Sequence, residues 1–317
     1  MTLTIRLALR DWDYLTPLLL GDVADPRIEL RIDRVGTLVE DLAKDAAHDG
    51  AEISLSRHVQ AVAGGASDVI GAPCFLMRGF RHRCILTTRS GPTRIEDLAG
   101  ARIGVTGWQD SGNTWTRAVL AEAGVGVEDA TWFAGRLTEA HPVVDRLGRF
   151  ARPGRIEAMP GEEPMMQALE AGRLDAVFTP FMPEGFFRRG SPFRHVLEDF
   201  RSAEIGYFRR NGYVPGMHIL ALKREVATAH PWLAAALTAL FDRSLAMWLA
   251  KRRKYAETTP WILQDIATMD RELGEDWAAS GIKANTQMVA DFLGHAETQG
   301  LLPCRPTLAE IFPGGAP

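Results

Sequence analysis

Hydrophobic and polar positions along the chain switch between two periods. "LTIRLALR" alternates with a period of two, as does "RIELRIDRV", and both read as strands. "TLVEDLAKDAAHDG" carries apolar residues at helical spacing, "AEISLS" returns to strand, and a helix is expected from Arg57 to Gly64. After "HRCILTTR" the pattern restarts. "IEDLAG" reads as a short helix, "ARIGVTG" as a strand, "NTWTRAVLAEAG" as a helix with Asn113 as its N-cap, and "ATWFAG" as a strand. "RIEAMP", the helix "EEPMMQALEAGRL", "DAVFTP" and "HVLEDF" lead to one more strand, "MHILALK". Three helices follow, Pro231 to Glu257, Pro260 to Leu273 and Asn285 to Gly300, the first two opened by prolines suited to a first helical turn. The end, "FPGGAP", is expected to fray.

Strands that alternate with helices predict an α/β fold with helical crossovers. Two such units joined without a Gly/Ser/Pro-rich linker, then a helical end, predict a bilobal protein. Residues 1–86 and 219–317 are expected to form one lobe and residues 87–218 the other. The chain is expected to cross between them in strands near "ILTTRSG" and "MHILAL", with the C-terminal helices packed on the first lobe. A cleft between lobes is a common place for a small ligand.

Composition narrows the partner. The chain has 317 residues, 46% hydrophobic, enough for two cores. Its 36 basic and 40 acidic residues leave a formal charge of −4, so nothing favours nucleic acid or an acidic membrane, and the basic run "KRRK" at 251–254 reads as a solvated helix end. Three cysteines without CxxC spacing argue against a disulfide framework or a zinc knuckle. No window reaches roughly 18 uninterrupted apolar residues, so no membrane span is expected. "MTLTIRLALRDWDY" meets Asp11 and Asp13 too early for a signal-peptide apolar region, and a cytoplasmic protein is expected. A homo-oligomer is compatible with all of this.

Several residues could carry chemistry. In "AEISLSRH", Glu52, Ser54 and Ser56 fall on one strand face, where a strand covered on both sides should be apolar; a ligand-facing position explains them, as does an edge strand or a helix-capping serine. In "GFRHRCILTTR", Arg81 suits bidentate binding of a carboxylate, and His82 has an unperturbed pKa near 6.5 for proton exchange; a solvated basic turn is the plainer alternative. The loop "GVTGWQDSGNTW" joins a strand to a helix N-terminus that favours an anion, with Trp108 as an aromatic wall, Gln109 as an amide donor, and Ser111 and Asn113 beside it. It is neither GxGxxG nor a P-loop. His218 begins the strand "MHILALK", and Asp11 follows the first strand, where a turn role is equally open. The eight histidines form no HxH, HxxxH or HExxH pair, so no metal site is expected, and no GxSxG elbow supports a serine nucleophile.

Taken in order, "EISLSRH", "FRHRCILTTR", "DLAGARIGV", "LEAGRLDAVFTP", "YVPGMHILALKRE", "HPWLAAALTALF" and "GLLPCRPTLAEIF" resemble the 4,5-dihydroxyphthalate decarboxylases, whose fold is similar to type 2 periplasmic binding proteins. The resemblance covers nearly the whole chain. It departs at "RDWDYLTPLLLGDV", where the family has a tyrosine and an arginine before the proline, and at "GWQDSGNTW", where the family has a tyrosine before the glutamine. The resemblance implies a lyase of aromatic-compound degradation that removes CO2 from a phthalate-like acid bearing two hydroxyls, with no organic cofactor. Such chemistry needs a positioned acid, a carboxylate anchor and hydroxyl partners, for which His82 or His218, Arg81, and Glu52 with Ser54 are the expected residues. A non-catalytic solute-binding protein of a transporter and another small-acid lyase on the same scaffold remain alternatives.

Overall fold

A computed structural model describes residues 2–313; of "FPGGAP", the last four residues lie outside the described part. In chain order the main elements are β1 (Leu3–Arg10), α1 (Thr16–Leu19), β2 (Ile28–Val35), β3 (Gly50–Ser54), α2 (Leu55–Ala63), β4 (Val69–Arg78), β5 (Ile85–Thr88), β6 (Arg102–Val105), α3 (Ser111–Glu122), β7 (Thr131–Ala134) and β8 (Ile156–Ala158). There follow α4 (Met165–Glu170), β9 (Ala176–Phe178), β10 (Phe193–His195), α5 (Phe200–Asn211), β11 (Gly216–Lys223), α6 (Arg224–Ala229), α7 (Leu233–Lys254), α8 (Ile262–Leu273), α9 (Ile282–Thr298) and α10 (Leu308–Ile311).

The chain forms two compact units. The first holds residues up to Arg78, Tyr213–Asp291 and those from Cys304 on; the second holds Gly79–Gly212 and Phe292–Pro303. These boundaries differ from those the sequence predicts at 86/87 and 218/219. The reason lies in strand pairing: β5 belongs wholly to the second sheet and β11 wholly to the first, so the two "crossing" segments are each internal to one unit. The last turns of α9 also depart from expectation, since Phe292 packs on Trp115 of α3, with ring centroids 5.4 Å apart.

In the first unit the strand order is β2-β1-β3-β11-β4, with β1 parallel to β2 and β3, and β11 antiparallel to β3 and β4. Leu7, Leu9, Leu220 and Leu222 point into one core with Leu233, Leu237, Leu240 and Phe241 of α7. Each such buried side chain contributes about 1.5–3 kcal/mol. α7 is long and apolar enough, by length and composition, to cross a membrane, and here that apolar stripe covers the sheet. In the second unit the order is β10-β5-β9-β6-β7-β8, parallel from β9 through β8, with β5 antiparallel to β9 and β10.

Two local expectations are corrected, and β4 lies where the sequence predicts no element. Residues 37–49 are irregular, because Asp41 and Asp45 accept from Ala43 N and Ala47 N and His48 bridges Asp45 and Asp33, bonds that compete with a helix. β4 is a strand despite Gly71 and Pro73: it lies at the sheet edge, where a missing N–H is tolerated. The strand expected over "HVLEDF" ends at its first residue, His195 of β10, and α5 opens at its last, Phe200, capped by Asp199, which accepts from Ser202 N at 3.0 Å, and closed by Gly212 at φ 76°.

Candidate active site

Glu52 is the least expected side chain in the first sheet: a carboxylate with 0% exposure in a central strand. Burying one without partners costs several kcal/mol. Three donors offset this. Oε2 accepts from Arg10 N at 3.0 Å and Trp12 Nε1 at 2.9 Å, and Oε1 lies 2.6 Å from His218 Nδ1. The pair arises from register. β3 and β11 run antiparallel with His218 opposite Ser54 and Leu220 opposite Glu52, so Glu52, Ser54 and His218 share one face. A carboxylate oxygen at Nδ1 requires the hydrogen on Nδ1, which leaves Nε2 as the working nitrogen. The His218 side chain is 14% exposed, and no other described residue bonds to Nε2.

The serines of this stretch have other tasks. Ser54 ends β3 and caps α2, its Oγ accepting from Arg57 N at 3.4 Å. Ser56 is inside α2 rather than on the strand face, and Gln60 Nε2 donates to its Oγ at 3.1 Å. Asp11 is 61% exposed and pairs with Arg34 at 3.1 Å, a surface role that corrects its placement beside a ligand.

In the second unit Arg81 is 3% exposed, and its Nε donates to Thr116 Oγ1 at 3.3 Å. Its guanidinium lies against the first turn of α3: a Cβ on Gly112 would sit 2.6 Å from Arg81 Nη2, so a side chain there would displace the end of Arg81. Asn113 is not the cap; Asp110 holds that position, and Asn113 Nδ2 donates to Thr106 Oγ1 and Gly107 O, tying the β6–α3 loop to its helix. Ser111 is the buried first residue of α3, and Gln109 is half-buried beside Gly148. Trp108 is no ligand wall. It is 1% exposed, stacked 4.0 Å below Arg117 and edge-on to Trp132. Arg117 itself is held by Gln299 Oε1 at 2.7 Å and Trp108 O at 2.8 Å, and burial pushes its guanidinium down to about 9.

His82 departs from the expectation of a group that exchanges protons near neutrality. It opens a short 3₁₀ turn before β5, edge-on to Tyr207 at 5.6 Å, with Nδ1 buried and unpartnered among the described residues. Burial, helped by the Arg210 cation, pushes the imidazole down to about 4, so it is neutral at neutral pH. The unfolded chain takes up this proton first, near 6.5. Stability is therefore complete above that pH and falls as pH drops toward 4, by about 3 kcal/mol for the whole interval. Urea titrations at pH 7 and pH 4.5 should show this loss in the wild type and a smaller one in His82→Phe, which keeps the ring against Tyr207. Identical losses would place the titrating group elsewhere.

Sequence reasoning missed Trp12, Thr116 and Gly112; the third sits in the quoted loop, but the contact with Arg81 spans separate segments. No cluster of three or more His, Cys, Asp or Glu placed to hold a metal occurs among the described residues.

No model of a known protein family matches the chain. A 4,5-dihydroxyphthalate decarboxylase of Comamonas testosteroni is 28% identical over 319 residues, 98% of this chain and 96% of that protein. Another, of Pseudomonas putida, is 31% identical over 172 residues, 54% of this chain and 67% of that protein. The chain belongs to the 4,5-dihydroxyphthalate decarboxylase family. It is an enzyme of the carboxy-lyase type. Among solved structures, the alkanesulfonate-binding protein SsuA from Xanthomonas axonopodis pv. citri bound to MOPS superposes with a TM-score of 0.53 at 14% identity, over 98% of this chain and 97% of that one. The desulfurization enzyme DSZB gives 0.54 at 15% identity, over 98% and 96%. These likenesses show the fold alone: this family member has a periplasmic-binding-protein-like fold.

Proposed function

We propose that the chain removes CO2 from a hydroxylated aromatic dicarboxylate of the 4,5-dihydroxyphthalate type, in the cytoplasm, with His218 as the proton carrier. The observation that carries the assignment is the 2.6 Å contact between Glu52 Oε1 and His218 Nδ1, in a carboxylate held by two further donors. Glu52 fixes the ring and stabilises the imidazolium, and Nε2 presents the proton. The ring carbon bearing the departing carboxylate takes that proton while the hydroxyl para to it releases electron density. The C–C bond to the carboxylate then breaks, its electron pair restores the aromatic ring, and CO2 leaves. One proton is consumed per turnover, and solvent returns it to His218. A positioned acid of this kind supplies about 10²- to 10⁴-fold.

Arg81 is assigned to a substrate carboxylate. Its buried fork beside a helix N-terminus suits two carboxylate oxygens, and a lysine cannot reproduce the fork. Arg81→Lys should raise KM by about 10- to 100-fold, the scale of lost charge-assisted hydrogen bonds. An unchanged KM removes the assignment. Activity is tested by following CO2 release from a panel of hydroxylated benzoates and phthalates. Release from the dihydroxyphthalate is expected; a ligand that is held and returned unchanged would make the chain a solute-binding protein.

A further inference from the structure

The first unit contains a cavity of about 200 Å³ that the proposed chemistry does not use. It lies between the C-terminal half of β4, the middle of α7 and the segment 277–280 before α9. Its walls are aromatic: Trp12, Phe75, Phe241, Trp248 and Trp277. We infer that this cavity is a second ligand site, for a monocyclic aromatic molecule bearing one hydrogen-bond-donating, uncharged or cationic substituent.

Size sets the ring count. An apolar cavity of about 150 Å³ accommodates benzene, so the present one has room for one ring and a short arm. The polar groups set the arm. Arg78 donates from Nη2 to Asn285 Oδ1 at 2.6 Å and Ala279 O at 3.1 Å and from Nη1 to Val214 O at 3.3 Å, its Nε is buried away from any ligand, and its guanidinium stacks 4.7 Å from the Phe75 ring centre. It is a wall, not an open anion site. Asp242 is different. Its Oδ1 accepts from Ser280 Oγ at 2.7 Å, and no described residue donates to Oδ2. A carboxylate with an open acceptor, among indole faces, favours an ammonium or hydroxyl and repels a carboxylate ligand. Burial pushes the Cys74 thiol up to about 12, so the cavity offers no thiolate and the ligand is held non-covalently.

Trp12 connects this cavity to the site described above. It lines the cavity and donates Nε1–H to Glu52 Oε2, so an occupant bears on the group that orients His218. That consequence rests on the proposed role of His218; the binding itself does not.

The test is calorimetric titration of the full chain with benzylamine, benzyl alcohol and benzoate. Saturable binding of the first two, and none of benzoate to this site, is expected in the wild type and in His218→Asn. Ala278→Phe, which fills the cavity, should abolish it. Asp242→Asn keeps the shape and should weaken benzylamine about tenfold while changing benzyl alcohol less, the scale of one charge-assisted hydrogen bond. It keeps the inference testable if the larger substitution impairs folding. No binding to the wild type, or binding lost in His218→Asn and intact in Ala278→Phe, overturns the inference. Equal loss of both ligands in Asp242→Asn overturns the assigned polar end.

Discussion

His218→Asn lowers kcat by about 10²-fold or more while leaving KM and the fold nearly unchanged. Asparagine is close in size and keeps an N–H that can reach Glu52 Oε1, so the buried carboxylate retains its third donor. What disappears is a nitrogen able to carry and release a proton. Steady-state rates of CO2 release, with thermal unfolding as control, check this. A variant that unfolds as the wild type does and turns over at near-normal rate would show that His218 is structural and that the donor must be sought elsewhere. His82 is not the replacement at neutral pH, because burial keeps it neutral there.

Glu52→Leu gives the largest loss of stability, about 3–5 kcal/mol in the first unit, the cost of removing one member of a buried polar pair. The carboxylate answers Arg10 N, Trp12 Nε1 and His218 Nδ1, and leucine leaves all three unmet in a site with no exposure. Glu52→Gln separates stability from chemistry. Its amide oxygen can take the Arg10 and Trp12 donors, which turns the amide N–H toward His218 Nδ1. That reverses the tautomer and opposes the imidazolium, so kcat should fall about 10²-fold with a much smaller loss of stability than in the leucine variant. Urea unfolding of the two variants beside their turnover distinguishes these effects. Equal stability of all three proteins would mean that Glu52 does not hold this corner of the sheet together.

The regular alternation of β1, β2 and the strands from β6 to β9 was legible because each has one clear period and turn residues at its ends. β4 was not, since Gly71 and Pro73 are turn signals until the strand is known to lie at an edge. Residues 37–49 show helical spacing, yet their aspartates bond locally to the backbone, which periodicity does not register. The polar face of Glu52 and Ser54 was visible as an anomaly. Its meaning was not: His218 is 166 residues away and Trp12 is 40, and only sheet register brings them together. Trp108 shows the converse, an aromatic residue in an attractive loop that the fold uses for packing under Arg117.

The most direct measurement is proton NMR of the product formed from 4,5-dihydroxyphthalate in D₂O. Proton transfer to the ring carbon with loss of CO2 predicts 3,4-dihydroxybenzoate bearing one deuterium at C6, the position the carboxylate has left, formed by the wild type and about 10²-fold more slowly by His218→Asn. Dihydroxyphthalate recovered unchanged from the wild-type protein after prolonged incubation would contradict it.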